Sequence, residues 1–469
     1  MAAGGDMRLD ARWIAAACGG RLVSGDAALV VDGFSIDSRT LAAGDLFIAL
    51  RGERFDGHQF VADALARGAS GALIETADAW PAGASGVAII AADTLTALQR
   101  LASEIRRESR TRVVAVTGSA GKTTTKEVTA EFLGTRYRVF RNRGNLNNHI
   151  GLPLSLLDLR RRPDVAVVEF GMNHPGEIRT LVRVARPDVR VWTNVGDAHL
   201  GFFGSVDAIA DAKAEVLEEA SPADVVVANA DDSRVMARVK SFGGRVTTFG
   251  MEWAADVRAE SIEDRGVDGT RAQVVTPRGS RTLNSPLLGR GNLANVLAAT
   301  AVALEFDIPL DDIVTRTAAL APANHRGQVV RLANGATLID DSYNSSPSAL
   351  RRALEVVAIS RGYTRKAAVL GEMLELGEHS RSLHEACGEA AARSGLAWLI
   401  AVGGEPAAAL AAAAVRSGIP AGEVLHVPAS AEAADAAVAR VRAGDLVLVK
   451  GSRGIATDRV VERLKGVAA

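Results

Sequence analysis

The sequence predicts an α/β protein of three domains, and three observations support this prediction. The chain has 469 residues, more than one hydrophobic core usually holds. Short β-branched runs alternate with helix-like segments from about residue 93 to 320, and again from about 323 to the end. The N-terminal part holds shorter strand-like runs between glycine-containing and charged turns. We therefore expect domains at residues 1–92, 93–322 and 323–469.

Composition restricts the classes of function. The chain is 48% hydrophobic and 23% charged, with a net charge of −1, which gives no reason to expect a nucleic-acid or membrane-surface partner. Cys18 and Cys387 stand alone, so no disulfide framework or zinc set is expected. No apolar run reaches the roughly 18 residues of a membrane span, and the N-terminus has no signal-peptide pattern. These features predict a cytosolic protein without membrane insertion.

The N-terminal domain reads as a small α/β unit. The predicted strands are Ala28–Val31, Leu46–Leu50 and Gly71–Glu75, and a helix is predicted at Gln59–Arg67 with Gly68 as its stop. Two polar clusters, at 37–39 and 56–58, lie where small domains place ligand contacts. Residues of these types serve more often as local turn residues.

The central domain begins with a strand, a glycine turn and a helix, in the stretch VVAVTGSAGKTTTKE from Val113. Gly118 and Gly121 bracket a turn whose amides can point at a phosphate. Lys122 supplies a charge for the β- and γ-phosphates, and the Thr123 hydroxyl is suited to Mg²⁺. The helix that follows adds its N-terminal dipole.

This loop is shorter than the general P-loop, because Val116 stands where the longer pattern has its first glycine. The alternative interpretation is a tight turn with a chance lysine. The order of strand, glycines, Lys-Thr and helix favours a nucleoside triphosphate, although the loop alone does not define the reaction.

Three ionisable side chains follow other predicted strands of the central domain. Glu169 ends an apolar strand, where a carboxylate must pair or bind a metal. His199 follows the strand at 189–193, and Lys213 lies on a helix that begins near Val206. Each has an ordinary alternative: a helix cap, a satisfied polar contact or a solvated lysine. Their common place after strands of one sheet favours a site.

Asn292 and Asn295 stand three residues apart in the first turn of a predicted Ala/Leu helix. Their amides could read an adenine edge or cap the helix, and the sequence leaves both open. The third domain alternates strands and helices, and its polar strand ends are DDSYNSSP from Asp340, GEMLELGEH from Gly371 and KGSR from Lys450.

Several of these stretches together resemble the Mur ligases, the ATP-dependent amino-acid and peptide ligases of peptidoglycan precursor synthesis. They are TGSAGKTTTKE from Thr117, GNLNNHIGLP from Gly144, VEFGMNHPGEI from Val168, TNVGDAHLGFFGS from Thr193, AKAE from Ala212 and DSYNSSP from Asp341. The last stretch and GMNHPGEI are most similar to the family member that adds D-alanyl-D-alanine to a UDP-N-acetylmuramoyl tripeptide. The D-N-P-R motif of the diaminopimelate-adding member does not occur.

The resemblance implies a fold and a set of roles. A UDP-binding domain, a central P-loop ATPase domain with a mostly parallel sheet and a C-terminal Rossmann-like domain are expected. The implied residues are Ser38 near the uridine; Gly118, Ser119, Ala120, Gly121, Lys122, Thr123 and Thr124 at the ATP phosphates; Thr123, Glu169, His199 and an N-carboxylated Lys213 at Mg²⁺; Asn292 and Asn295 at the adenine; Arg326 and Asp341 at the nucleotide; and Asn344 at the incoming dipeptide.

Two positions depart from the family pattern. Gly291 replaces the histidine of G-R-H-N, and His325 precedes Arg326 where the family commonly has glycine. Both departures affect the expected local geometry, one at the adenine and one at the start of the third domain.

The implied reaction activates a carboxylate as an acyl phosphate, which the amine of D-alanyl-D-alanine then attacks. Lys122, Glu169, His199 and Lys213 are the implied catalytic residues, ATP and Mg²⁺ are the implied cofactors, and a monomer is expected. Two alternatives are another Mur-type ligase and a folate-type glutamate ligase, although the Asp37-Ser38-Arg39 block disfavours the folate type. A third is a P-loop switch or motor, whose output would be conformational change.

Overall fold

The computed structural model describes residues 5–52, 55–142, 144–198 and 200–467, and these residues form two compact units. The first unit holds the described residues up to Ala115, together with Arg136–Arg190 and Glu215–Asp224. The second holds Val116–Thr135, Val191–Ala214 and the described residues from Val225 onward. The strands of the described ranges belong to three sheets whose neighbouring strands are mostly parallel. The predicted α/β fold class is therefore confirmed.

The N-terminal sheet has five strands in the order β1-β5-β4-β3-β2, and its β1–β5 pair is antiparallel. Its elements are α1 (Ala11–Cys18), β1 (Arg21–Ser24), β2 (Gly33–Ser35), β3 (Asp45–Ile48), α2 (Val61–Ala66), β4 (Gly71–Ile74) and β5 (Val87–Ile90). The predicted helix at 59–67 is present as α2, which follows a short 3₁₀ turn and ends before Gly68, at a φ of 99°.

The strand predicted at Ala28–Val31 is wrong. Only Val30 forms an isolated bridge, to Asp10. Asp26 folds the segment into a turn, because its carboxylate accepts from the Ala28 amide at 2.9 Å and its carbonyl accepts from the Leu29 amide at 3.1 Å. A local side-chain hydrogen bond thus outcompetes the strand that the apolar run predicts.

The central segment carries the loop and the polar strand ends. Its elements are α3 (Thr94–Ser109), β6 (Arg112–Thr117), α4 (Lys122–Leu133), β7 (Val139–Arg141), α5 (Gly151–Leu156), β8 (Val165–Glu169), α6 (Glu177–Ala185), β9 (Val189–Trp192), α7 (Leu200–Phe203) and α8 (Val206–Ala214). In the first unit, strands β7 and β8 pair in parallel. The fully buried residues of β6 and β8 are typical of strands that are covered on both faces.

The predicted alternation of strands and helices up to residue 320 is wrong between 257 and 285. The chain continues through β10 (Val225–Asn229), α9 (Ser233–Val239), β11 (Arg245–Gly250), β12 (Val257–Asp264), β13 (Thr270–Thr276) and β14 (Gly279–Ser285), then α10 (Gly289–Glu305) and α11 (Leu310–Ala318). Strands β12, β13 and β14 form an antiparallel meander. Their side chains alternate between buried and exposed, because one sheet face is solvated.

The C-terminal sheet has six strands in the order β15-β16-β20-β17-β18-β19, of which only the β15–β16 pair is antiparallel. Its elements are β15 (Gln328–Arg331), β16 (Thr337–Asp341), α12 (Pro347–Ile359), β17 (Arg365–Gly371), α13 (Ser380–Arg393), β18 (Trp398–Val402), α14 (Glu405–Arg416), β19 (Val424–Val427), α15 (Ser430–Arg440), β20 (Asp445–Lys450) and α16 (Asp458–Val467). Successive residues of β20, Leu448 and Val449, point to opposite sheet faces and belong to separate core clusters. The sheet is therefore covered on both faces, as the doubly wound prediction requires.

Candidate functional site

The two glycines of the loop after β6 sit where a side chain would not fit. Gly118 has a φ of 147°, and a Cβ there would lie 1.9 Å from the Thr193 hydroxyl. Gly121 has a φ of 83°, and its Cβ would lie 2.2 Å from Oδ1 of Asn295. Positive φ and close approach both require glycine at these positions. The spacing G-x-x-G thus has a structural reason.

Thr193 and Asn194 hold this loop, a role that no pattern in the sequence predicts. The Thr193 hydroxyl donates to the Ala120 carbonyl at 2.7 Å. Asn194 accepts from the Ala120 amide at 2.9 Å and donates to its carbonyl at 3.0 Å. The Ser119 amide donates to the Asn194 carbonyl at 3.0 Å. The available signal was their place directly after β9, at the start of the TNVGDAH stretch.

The amides of Ser119 and Ala120 are therefore engaged with Asn194, unlike the sequence expectation that the turn's amides point at a phosphate. The Thr125 amide donates to the Gly121 carbonyl at 2.8 Å and so closes the first turn of α4. Anion binding then falls mainly on the N-terminus of α4 and on Lys122. Nζ of Lys122 lies 2.9 Å from the Gly118 carbonyl, so its ammonium stays over the loop.

Asn292 and Asn295 contact each other, as their spacing predicts. Nδ2 of Asn295 donates to Oδ1 of Asn292 at 3.2 Å, and Nδ2 of Asn292 donates to the Leu288 carbonyl at 2.9 Å. Oδ1 of Asn295 accepts from Thr125 at 3.2 Å. The N-cap residue of α10, Leu288, makes no side-chain capping hydrogen bond, and the Asn292 amide donates to the Leu288 carbonyl instead of accepting from a helix N–H. The two asparagine amides link α10 to the start of α4.

One cavity in the second unit brings most of the predicted nucleotide residues together. It has a volume of about 860 Å³. The predicted residues that line it are Ser119, Ala120, Gly121, Lys122, Thr124, Asn292, Asn295, Arg326, Asp341 and Asn344. A cleft of this size, with charged and amide groups converging on it, is typical of a binding site for a small molecule. Residues from β6 to α4, from α10 and from the C-terminal sheet thus share one space.

The structure describes three of the four predicted metal-site residues, and these three belong to two different units. Glu169, in the first unit, is 4% exposed, and Asn147 donates to its Oε1 at 2.8 Å. Thr123 and Lys213 belong to the second unit, where Thr123 lies in the first turn of α4 and Lys213 is buried in α8. His199 lies outside the described residues. Within the described ranges, no three His, Cys, Asp or Glu side chains form a group suited to a metal.

The polar end of β16 is tied to the end of β20. Nζ of Lys450, which is buried, donates to Asp341 at 2.6 Å and to the Asn344 carbonyl at 2.9 Å. The sequence predicts that KGSR is a polar strand end, but it predicts no role for Lys450. This ion pair lies in the cavity wall and fixes the path of the chain from 341 to 344.

The two departures from the family pattern have visible consequences. At Gly291, a Cβ would lie 3.3 Å from Cδ of Arg352, so the Arg352 side chain packs over this glycine in the cavity wall. His325 adopts a φ of 59°, a region that favours glycine. Its Nδ1 lies 2.8 Å from Oδ2 of the buried Asp340, a contact that glycine could not make.

Ser38 lies in the first unit, in the turn after β2, and is 7% exposed. Hydrogen bonds from Arg67 and then from Ser38 lower the pKa of Asp63. The neighbouring Asp37 pairs with Arg39 at 2.7 Å, and hydrogen bonding from Arg39 lowers the pKa of Asp37 to about 2. Asp37 and Arg39 thus pair within the turn, whereas Ser38 contacts Asp63 of α2.

Cys18 and Cys387 are both buried and unbridged. Burial raises the pKa of both thiols, that of Cys387 to about 12. In the part of the chain that the structure describes, every helix is too short or too polar to span a bilayer.

The fold and the loop define an α/β protein in which the glycine loop after β6 lines a cavity together with α10 and residues of the C-terminal sheet. Family models match nearly the whole chain: "Mur ligase family, catalytic domain" over residues 30–128, "Mur ligase middle domain" over 116–303, and "Mur ligase, glutamate ligase domain" over 325–453. This chain belongs to the Mur ligase family.

Individual members of the family are similar to this chain over most of its length. The UDP-N-acetylmuramoyl-tripeptide–D-alanyl-D-alanine ligase of Escherichia coli is 36% identical over 93% of this chain and 94% of its own length. MurF from Acinetobacter baumannii matches with a TM-score of 0.88 at 32% identity, covering 99% of this chain and all of the other. MurF from Thermotoga maritima, solved in complex with ADP, matches with a TM-score of 0.81 at 30% identity, covering 92% of this chain and 97% of the other.

Proposed function

We propose that this chain joins D-alanyl-D-alanine to UDP-N-acetylmuramoyl tripeptide in an ATP-dependent reaction of cell-wall precursor synthesis. The observation that carries the proposal is one cavity that is lined by the loop after β6 (119–122) together with Asn292, Asn295 and Asp341; we call this loop the phosphate loop. Relatives named for this activity, at 30–36% identity over most of the chain, support the same substrates. The ADP complex of the Thermotoga relative supports ATP as the nucleotide.

In this proposal, the terminal carboxylate of the tripeptide takes the γ-phosphoryl group of ATP, and ADP leaves. The amine of the dipeptide attacks the resulting acyl phosphate, and phosphate leaves as the amide bond forms. Catalysis of such a transfer is mainly positioning and charge stabilisation. Lys122 and the N-terminus of α4 hold the phosphates, and Asn292 and Asn295 face the base. Arg326 and Asp341 contact the nucleotide from the C-terminal sheet.

We propose Thr123 and Glu169 as ligands of Mg²⁺, because each carries an oxygen of the kind that this ion prefers. The Asn147 amide donates to Oε1 of the buried Glu169 carboxylate at 2.8 Å. Lys213, also buried, would become an anionic oxygen ligand once its amine is carboxylated by CO₂, and His199 completes the predicted set. When bound by these residues, Mg²⁺ would supply charge neutralisation at the phosphates.

We also propose that the domains run from 1 to 92, 93 to 322 and 323 to 469, with UDP binding near Ser38 in the first. All strands of each sheet fall within one of these ranges, which supports the boundaries. The monomeric state, the cytosolic location and the absence of a nucleic-acid partner stay predictions.

The reaction is tested by mass spectrometry of the product formed from UDP-N-acetylmuramoyl tripeptide, ATP and D-alanyl-D-alanine. We expect a UDP-linked pentapeptide and one ADP per amide bond. Single amino acids in place of the dipeptide should yield no product, which separates this activity from that of neighbouring ligases and of folate-type glutamate ligases. A switch or motor would hydrolyse ATP substantially without any acceptor.

Lys122→Ala tests the phosphate loop. We expect at least about a hundredfold loss of ADP release, because the ammonium that faces the transferred phosphoryl group is removed. Binding of the UDP substrate, measured by calorimetry, should persist. Lys240→Ala, at an exposed lysine on the end of α9, is the matched control and should keep full activity. A Lys122→Ala enzyme that still turns over ATP with both substrates would contradict the loop assignment.

A further inference from the structure

Tyr343 is flanked by two guanidinium groups in the wall of the cavity. Cζ of Arg326 lies 4.2 Å from the centroid of the Tyr343 ring, and Cζ of Arg453 lies 5.4 Å from it. Nη1 of Arg453 also donates to the Tyr343 hydroxyl at 3.2 Å. All three residues line the cavity. Stacking on an aromatic ring holds a guanidinium in a defined orientation and leaves its outer N–H groups to face a ligand.

The charges of this cluster do not balance. Among the described residues, neither Arg326 nor Arg453 pairs with a carboxylate, whereas most other arginines of the C-terminal sheet and its helices do. Lys450 takes up Asp341 at 2.6 Å. A planar guanidinium without an acidic partner is suited to a carboxylate or a phosphate, which it binds through two parallel hydrogen bonds.

The placement of Arg453 favours a carboxylate. The phosphate loop already has Lys122 and the N-terminus of α4 for the nucleotide. Arg453 lies instead in the turn after β20, where Ser452 accepts from the Leu374 amide at 2.9 Å and so anchors the turn. Arg453 is exposed, so an acceptor arriving from solvent can meet its guanidinium.

We propose that Arg453 binds the C-terminal carboxylate of the acceptor dipeptide, with Tyr343 as the residue that positions its guanidinium. This inference rests on the proposed function, because it names the side chain that recognises the acceptor dipeptide. It adds a criterion for acceptor choice: the enzyme selects a dipeptide by the charge at its far end as well as by its amine. An acceptor without that carboxylate leaves two guanidiniums unpaired in the cavity.

The test compares D-alanyl-D-alanine with its C-terminal amide, in the full-length chain and in Arg453→Gln. In the unsubstituted enzyme we expect kcat/KM to favour the acid by roughly 10- to 100-fold, the value of a charge-assisted hydrogen-bonded pair. In Arg453→Gln this preference should fall to near unity, through a raised KM for the dipeptide. The KM for ATP should not change. Arg453→Lys keeps the positive charge but lacks the planar guanidinium that makes two parallel hydrogen bonds. It should therefore retain part of the preference for the acid over the amide.

Arg463→Gln is the matched control, because Arg463 is an exposed arginine of α16 that pairs with Asp435 away from the cavity lining. It should leave both KM values and the preference unchanged. An Arg453→Gln enzyme that keeps the acid-over-amide preference, or that raises the KM for ATP instead, would overturn the inference and assign Arg453 to phosphate. An unsubstituted chain that ligates neither acceptor would overturn the proposed function itself, which is a different result.

Discussion

His384 is a buried imidazole with both ring nitrogens engaged. Nε2 accepts from the Met373 amide at 2.9 Å, and Nδ1 lies 2.7 Å from the Ser380 carbonyl, to which it must donate. This pair of contacts requires the neutral ring with its proton on Nδ1, because a second N–H would face the Met373 N–H. The imidazole supports the chain just before Leu374 and Glu375, which line the cavity.

Burial lowers the pKa of His384 below the ordinary histidine value. This effect outweighs the hydrogen bond to the Ser380 carbonyl and the charges of Glu372 and Glu405, which raise the pKa. The unfolded chain therefore binds a proton that the folded chain does not, and stability falls as the pH drops below the ordinary pKa of about 6.5. Above that pH the contribution is fully present. We expect Tm to fall more steeply from pH 7 to pH 5 in the unsubstituted protein than in His384→Gln. Parallel Tm curves for the two proteins would contradict this.

At the scale of single residues, the sequence predicts groups whose chemistry is unusual for their position. Lys122, Asn292 and Asn295, which line the cavity, stand out in the sequence because a charge or an amide stands at a helix start after a glycine turn. Thr193 and Asn194 do not stand out, because a hydroxyl and an amide after a strand are common turn residues. Their role depends on contact with the Ala120 backbone, some 73 residues away along the chain, which no local pattern encodes.

At the scale of elements, helices α13 and α14 approach each other through Gly388. A Cβ at this position would lie 2.2 Å from the Leu410 carbonyl oxygen and 2.9 Å from Cβ of Ala413. The contact involves backbone on α14, which cannot turn aside as a flexible side chain would. Gly388 therefore sets how closely these two helices pack.

Gly388→Ala should destabilise the protein by about 1–3 kcal/mol, because the added methyl group overpacks this contact. The measurement is Tm by circular dichroism or calorimetry. Gly466→Ala is the matched control, since Gly466 lies in helix α16 and a Cβ there meets nothing within 4 Å. Alanine has the higher helix propensity, so this control should leave Tm unchanged or raise it slightly. Equal Tm shifts in the two variants would contradict the packing argument.

Strands that are buried on both faces were predictable, whereas strands with one solvated face were not. β6 and β8 are continuous apolar runs, which period-based reasoning finds readily. β12, β13 and β14 carry charged side chains on their exposed face, and so resemble a polar loop. Strand β15 likewise has no fully buried residue.

At the scale of the whole molecule, the sequence predicts which segments hold the site but not how the segments meet. Within the second unit, the chain after β9 contacts both the phosphate loop and the C-terminal sheet's helices. Gly196 accepts and donates hydrogen bonds with Ser119 on the loop side. Asp197 accepts from the Ser348 hydroxyl at 2.8 Å and lies 3.5 Å from Arg351 on the other side. Such contacts depend on packing between distant segments, which sequence patterns do not record.

Gly201 makes another contact of this kind, and its substitution tests whether the contact belongs to the working enzyme. Its amide donates to the Glu375 carbonyl at 2.9 Å, and a Cβ would lie 2.8 Å from the Gly377 nitrogen. Gly201→Ala should push the chain at 375–377 away and displace the cavity wall. We expect kcat to fall on the order of tenfold or more, because small misplacements of positioned groups are costly. Steady-state kinetics measures this, with Gly243→Ala, which has open space around it, as the control that should keep kcat. If Gly201→Ala turns over normally, catalysis proceeds without this contact.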